Sequence, residues 1–167
     1  MSYLGKAVIL AGVLALSACS NNALNDANSG NMNGTNGALG SVNDPTSVAY
    51  FQQSIGDRVL FLVDQSGLTD LGRSTLNAQA EWLNTNTDYS AIIEGHADEQ
   101  GTREYNLALG ERRANAAREY LVSRGVAGNR LQVVSFGKER PIEICSEESC
   151  YANNRRAVTV LAGGLTG

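Results

Sequence analysis

The sequence predicts an α/β sandwich in which helices cover one face of a sheet. Three observations lead there. Apolar runs of strand length alternate with longer stretches whose apolar residues recur at helical spacing. Capping and stop residues bracket the longer stretches. The alternation falls within roughly 120 residues, enough for one independent core and short enough to imply a single layered domain.

The elements follow in order. Residues 47–54 read as a short helix, with Val48, Phe51 and Ile55 at helical spacing. Residues 58–63 form a compact apolar run and are assigned to a strand. Thr69 or Asp70 caps a helix reaching about Asn84, in which Leu76, Ala80 and Leu83 share one face. Trp82 on that helix is assigned to the core. Residues 89–94 make a second strand. Residues 103–124 are the strongest helical stretch, with Leu109, Ala116, Ala117, Tyr120 and Leu121 as its stripe and Gly125 as its left-handed stop. Residues 131–136 and 157–161 supply the third and fourth strands.

Ahead of this domain lie two segments of different character. Lys6 is the one charged side chain of residues 1–6, and residues 7–16 are apolar or Gly without interruption. Ten such residues fall short of the roughly 20 that span a bilayer as a helix, so residues 1–18 read as a secretory signal peptide. Leu16-Ser17-Ala18-Cys19 resembles the bacterial lipobox, which implies a lipidated Cys19 at the mature N-terminus. By resemblance to Gram-negative lipoproteins, Ser20 in place of a retention-signal Asp implies sorting to the outer membrane. Residues 20–41 hold seven Asn, four Gly and three Ser, with Asp26 their one charge. That composition cannot offset its chain entropy by burial, and residues 19–45 are expected to form a disordered tether. As a coil of about 26 residues it would span roughly 25 to 30 Å. The folded domain is then residues 46–167.

Composition narrows the chemistry. The 167 residues carry 13 Lys and Arg against 17 Asp and Glu, a net charge of −4, and the mean hydropathy is −0.19. Such a chain lacks the basic footprint of a nucleic-acid binder. One His and three Cys cannot build the usual structural zinc clusters. No Gly-Lys-Ser or Gly-Lys-Thr is present for a phosphate loop. No cofactor is implied.

The polar residues gather between the second strand and the third helix, at Glu94-Gly95-His96-Ala97-Asp98, followed by Tyr105-Asn106 and the stretch Leu109 to Ala114. Ser135-Phe136-Gly137 and Asn154-Arg155-Arg156-Ala157-Val158 come later. In these motifs, over about residues 58 to 162, the chain resembles the peptidoglycan-associated lipoproteins and, more broadly, the OmpA-like C-terminal domain family. The resemblance implies a βαβαβ-type domain with a four-stranded mixed sheet and helices mainly on one face. It also implies noncovalent binding of peptidoglycan through the meso-diaminopimelate of the stem peptide, and no enzymatic activity.

Diaminopimelate presents an ammonium and a carboxylate close together, so its receptor needs an anion and a cation. The family's binding Asp matches Asp98, expected to take the ammonium. Its binding Arg, fifteen residues on, matches Arg113, expected to take the carboxylate as a planar fork. Arg112 points about 100° away on the same helix and is assigned to solvent. Asp64 at the end of the first strand, Asn106, Leu109 and Arg155 would line the rest. The family often carries an aromatic residue just before that first Asp, where this chain has Val63. The resemblance further implies TolB and other Tol-Pal components as partners, and a role in outer-membrane constriction at division.

Other readings stand beside these. Asp98 also fits as a loop cap, and Arg155 and Arg156 as anchors of the last strand. Glu94, His96 and Asp98 at strand spacing could hold a metal in a peptidoglycan hydrolase, against which His96 as a hydrogen-bonded structural residue is preferred. A TolB-docking module that never touches the wall is a further alternative. A flagellar stator shares the domain but needs a membrane helix with an ionisable residue, which residues 7–16 do not supply. Cys145 and Cys150 remain after Cys19 is lipidated, and in an oxidising periplasm they read as a disulfide, with two free thiols as the alternative. Closing so short a loop contributes roughly 2 kcal/mol.

Overall fold

The computed structural model describes residues 40–163. The signal peptide of residues 1–18, the lipidation site Cys19 and tether residues 20–39 lie outside the described residues.

The folded body begins by Ser41, ahead of the boundary at Thr46 that composition suggested. The reason is local hydrogen bonding: Ser47 Oγ donates to the Ser41 carbonyl at 2.6 Å, and Trp82 Nε1 reaches the Pro45 carbonyl at 2.7 Å. Ser47 then caps helix α1 (Val48–Tyr50), which continues with π winding through Phe51–Gly56. Phe51 is fully buried against Trp82, whose ring also meets Tyr89.

Strand β1 (Arg58–Leu60) is half as long as the apolar run of residues 58–63. Phe61 N still donates to the Arg155 carbonyl, but Gln65 N then closes a turn on Leu62 O, and Asp64 sits at φ 57°. The run leaves the sheet to become a loop. Helix α2 (Asp70–Thr85) starts at Thr69, whose hydroxyl accepts from Gly72 N at 3.0 Å, and buries Leu76, Ala80, Trp82 and Leu83. Strand β2 (Tyr89–His96) extends two residues past its expected end. Helix α3 (Arg103–Ser123) is capped by Thr102. It ends at Gly125, φ 96°, with Val126 N on Leu121 O and Gly125 N on Val122 O, the paired bonds of a glycine-terminated helix. A 3-10 turn, Gly128–Arg130, leads into β3 (Leu131–Gly137). Helix α4 (Glu148–Asn154), which the sequence did not announce, precedes β4 (Arg156–Gly163).

The four strands form one mixed sheet in the order β1-β4-β2-β3. Strand β4 runs antiparallel to both β1 and β2, and β3 runs parallel to β2. Ala91 and Ile93 point into the core with α2 and α3 residues, while Ile92 and Glu94 on the other face stay half-exposed. Among the described residues no helix is long and apolar enough to cross a membrane.

Candidate functional site

The end of β2, the loop after β1 and the start of α3 meet around a cleft of about 330 Å³. Val63 and Asp64 supply one wall; Asp98, Gln100 and Gly101 another; Tyr105, Asn106 and Leu109 of α3 the third. Four sequence-predicted positions, Asp64, Asp98, Asn106 and Leu109, are thus brought together, with Val63 beside them where the family often has a ring. A groove of about 350 Å³ beside β1 and α2 holds none of the expected ligand residues.

Asp98 is 8% exposed. Its Oδ1 accepts from Gln100 N at 3.2 Å and its Oδ2 from Arg155 Nη1 at 3.1 Å. It is therefore a loop cap and a cleft-facing acid at once. Asn106 is buried and donates Nδ2 to the Gln100 carbonyl at 2.8 Å, while its Oδ1 has no partner. Asp64 accepts the Tyr105 hydroxyl across the cleft. That bond, more than burial, raises the Tyr105 pKa.

Arg113 lies behind the cleft and not in its lining. It has no exposed surface. Its Nε donates to Gln65 O at 2.8 Å, Nη1 to His96 O at 2.9 Å and Nη2 to Leu62 O at 3.2 Å. The fork expected to face a ligand carboxylate instead ties together the loops whose side chains form two cleft walls. Burial lowers its pKa to about 10, with Asp98 opposing the shift, so it is a cation at neutral pH directly behind the cleft. Arg112 is exposed on the helix and stands 6.0 Å over the Tyr105 ring.

Arg155 is also buried, with Nε on Phe61 O at 3.3 Å and its terminal nitrogens divided between Asp98 and Glu148. Burial works against its charge, but the bonds to Glu148 and Asp98 outweigh that and raise its pKa. Arg156 donates to the Asn154 and Arg140 carbonyls, so it anchors the start of β4.

His96 is buried, as a structural histidine should be, but neither ring nitrogen has a hydrogen-bond partner. The register shift after Gly95 sets it against Phe136, ring centroids 5.6 Å apart. Burial, and then the Arg156 and Arg140 charges, lower its pKa to about 4. Glu94 lies 3.6 Å away, while Asp98 is engaged by Arg155. Among the described residues no three His, Cys, Asp or Glu side chains are placed to hold a metal.

Cys145 and Cys150 are joined as a disulfide, Cα atoms 6.0 Å apart. Two contributors escaped the sequence reading. Tyr105 lay inside a recognised motif but had no assigned partner. Glu148 stands seven residues before Arg155, two turns of a helix, a signal visible only once α4 is known.

The OmpA family model matches residues 60–155, more than half of the chain. The peptidoglycan-associated lipoprotein of Mesorhizobium japonicum is 48% identical over 157 residues, 93% of this chain and 90% of the relative. That of Rhizobium meliloti is 54% identical over 119 residues, 71% of this chain and 68% of the relative. The crystal structure of the Burkholderia pseudomallei peptidoglycan-associated lipoprotein superposes with a TM-score of 0.64 at 36% identity, covering 72% of this chain and 98% of that one. The chain belongs to the OmpA family and, within it, to the peptidoglycan-associated lipoproteins.

Proposed function

We propose that the chain is an outer-membrane lipoprotein, anchored through Cys19, whose folded domain grips peptidoglycan noncovalently by the meso-diaminopimelate of the stem peptide. The observation that carries this reading is the cleft itself: an acid, Asp98, beside the unpartnered Oδ1 of Asn106, with the Arg113 cation behind the wall. Asp98 and Asn106 Oδ1 receive the ammonium. The backbone of the Val63–Asp64 turn, with the Arg113 charge beneath it, faces the carboxylate. Leu109 and Val63 give the apolar surface for the methylene chain between the two ends.

In this reading the lipid holds one leaflet, the domain holds the wall, and the chain acts with TolB and the Tol-Pal system to keep the outer membrane attached and to draw it in at division. Family membership supports that assignment; no residue described above identifies TolB by itself.

The test is a pull-down of the full chain in nonionic detergent on insoluble peptidoglycan. Sacculi with diaminopimelate retain it, and retention falls with salt because opposite charges carry the recognition. Sacculi with lysine at that position, which lacks the side-chain carboxylate, retain it poorly. Asp98→Asn reduces retention about tenfold, in line with loss of a charge-assisted contact. Equal retention of wild type and Asp98→Asn would leave the cleft without its ligand and favour the TolB-docking alternative. Release of soluble muropeptides would reinstate the hydrolase.

A further inference from the structure

The disulfide closes a small ring over residues 145–150, and two side chains of that ring bond Glu99 and Arg155, which stand next to the cleft acid Asp98 in sequence and by hydrogen bond respectively. Ser146 Oγ donates to Glu99 Oε1 at 3.3 Å, the same oxygen that accepts the Tyr151 hydroxyl at 2.8 Å. Glu148 accepts from Arg155 through both carboxylate oxygens, the second at 3.5 Å from Nη1. That same Nη1 donates to Asp98 Oδ2 at 3.1 Å. A continuous path therefore runs from the disulfide ring through Glu148 and Arg155 to the acid of the cleft.

We infer that Glu148 is a positioning residue for ligand binding, held in place by the disulfide ring, which draws on the Arg155 cation so that Asp98 keeps its charge for a ligand ammonium. This rests on the reading that the cleft takes an ammonium. One guanidinium facing one acid would satisfy that acid and compete with any incoming cation. With Glu148 taking part of the guanidinium, Asp98, itself 8% exposed, keeps uncompensated negative charge where little solvent screens it.

The ring supplies what α4 lacks. The helix has seven residues, and Glu147 at its N-terminus makes no side-chain cap bond. Helices this short do not hold themselves in water. Glu148 is its first residue, with a side chain 65% exposed, and it lies within the ring closed by Cys145 and Cys150 while its carboxylate bonds Arg155. Arg155 is buried by contrast, bonded at Phe61 O.

Calorimetry with a soluble diaminopimelate muropeptide and the full chain in detergent micelles tests the first half. Glu148→Gln weakens binding about threefold to fivefold, the span expected for a partly exposed ion pair. Cys145→Ser/Cys150→Ser weakens it in the same direction, and the triple variant is no weaker than the stronger of the two, because both act on one path. Additive losses would overturn the role given to the ring.

The second half is read without ligand. The carboxyl 13C chemical shift of Asp98 at pH 7 moves in Glu148→Gln, as Arg155 turns wholly to Asp98. A merely structural Glu148 would lower the melting temperature and leave that signal in place, and an unmoved signal overturns the inference. Should the wild-type chain fail to bind the muropeptide, the proposed ligand is wrong, while the Asp98 signal still decides what Glu148 does.

Discussion

A guanidinium with no exposed surface and three carbonyl partners holds structure together as well as supplying charge, and Arg113 shows how the two roles separate. From sequence alone, Arg113→Ala is a binding variant that leaves the fold intact. Burial changes that expectation. Truncation strands the carbonyls of Leu62, Gln65 and His96 and opens a cavity beneath Phe61, whose ring lies 5.4 Å from the guanidinium. Arg113→Ala should lower unfolding free energy by about 3 kcal/mol or more, measured by urea denaturation. Arg113→Lys should recover little, since a single ammonium cannot span three acceptors on two loops. Arg112→Ala, on the exposed side of the same helix, should stay within about 0.5 kcal/mol of wild type. A wild-type midpoint for Arg113→Ala would return Arg113 to a purely ligand-facing role. Asp98, Asn106 and Leu109 were legible through the motifs shared with the family, and all three line the cleft. The choice between the neighbours Arg112 and Arg113 was legible from the family's spacing, and Arg112 is indeed exposed; the full burial of Arg113 was not legible, because its carbonyl partners come from residues distant in sequence. The hydrogen bonds expected of His96 are absent, and its burial was not legible either: alternation sets it on the half-exposed face of Ile92 and Glu94, and it is the packing against Phe136 beside the register shift at Gly95 that covers it.

At the level of elements, the cleft owes its position to how closely α3 lies on the sheet. Gly95 of β2 faces Gly110 of α3, and a Cβ on Gly95 would stand 1.8 Å from the Gly110 carbonyl oxygen. A Cβ on Gly110 would fall 2.5 Å from Ser135 Oγ, which donates to the Leu107 carbonyl. On the Gly95 side the contact is therefore backbone on backbone, with no flexible side chain to yield. Gly95→Ala should cost about 3 kcal/mol, at the upper end of overpacking, and displace Asn106 and Leu109 from the cleft. Gly67→Ala, with nothing within 4 Å of the added methyl, is the matched control and should melt like wild type. Thermal melts of the two variants decide the point; equal midpoints would mean that the layers can part without loss. The amphipathic elements were readable because period and capping are local: α2 and α3 begin at Thr69 and Thr102 as capping chemistry requires. β1 was overextended because Leu62 and Val63 are apolar yet exposed, placed in a loop by the turn at Asp64. α4 escaped because its order comes from Asn154, whose side chain bonds residues 142 and 143, and from a disulfide, neither of which leaves a periodic trace.

Across the described body, the chain enters at one end of β2 and the cleft opens at the other. Thr46 and Pro45 are bonded to Tyr89 and Trp82 beside the start of β2, whereas Asp98 follows its last residue. Eight residues of strand set these points roughly 25 Å apart. If lipid holds the N-terminal side and the wall holds the cleft, tension runs along β2. Hydrogen bonds between antiparallel strands lie perpendicular to them, so the ladder from β2 to β4 is loaded in shear and its bonds resist together. A pull on Gly163 acts differently, because Gly163 pairs with Tyr89 at the end of the β2–β4 ladder and can be peeled away one bond at a time. Single-molecule pulling between handles at Ser41 and Gln100 should therefore require a higher rupture force than pulling between Ser41 and Gly163 at the same loading rate. The comparison uses one fold and one core, so the difference isolates direction from stability. Equal forces along the two axes would mean that the sheet is not the load-bearing path, and that a wall tether of this design must yield first in its loops.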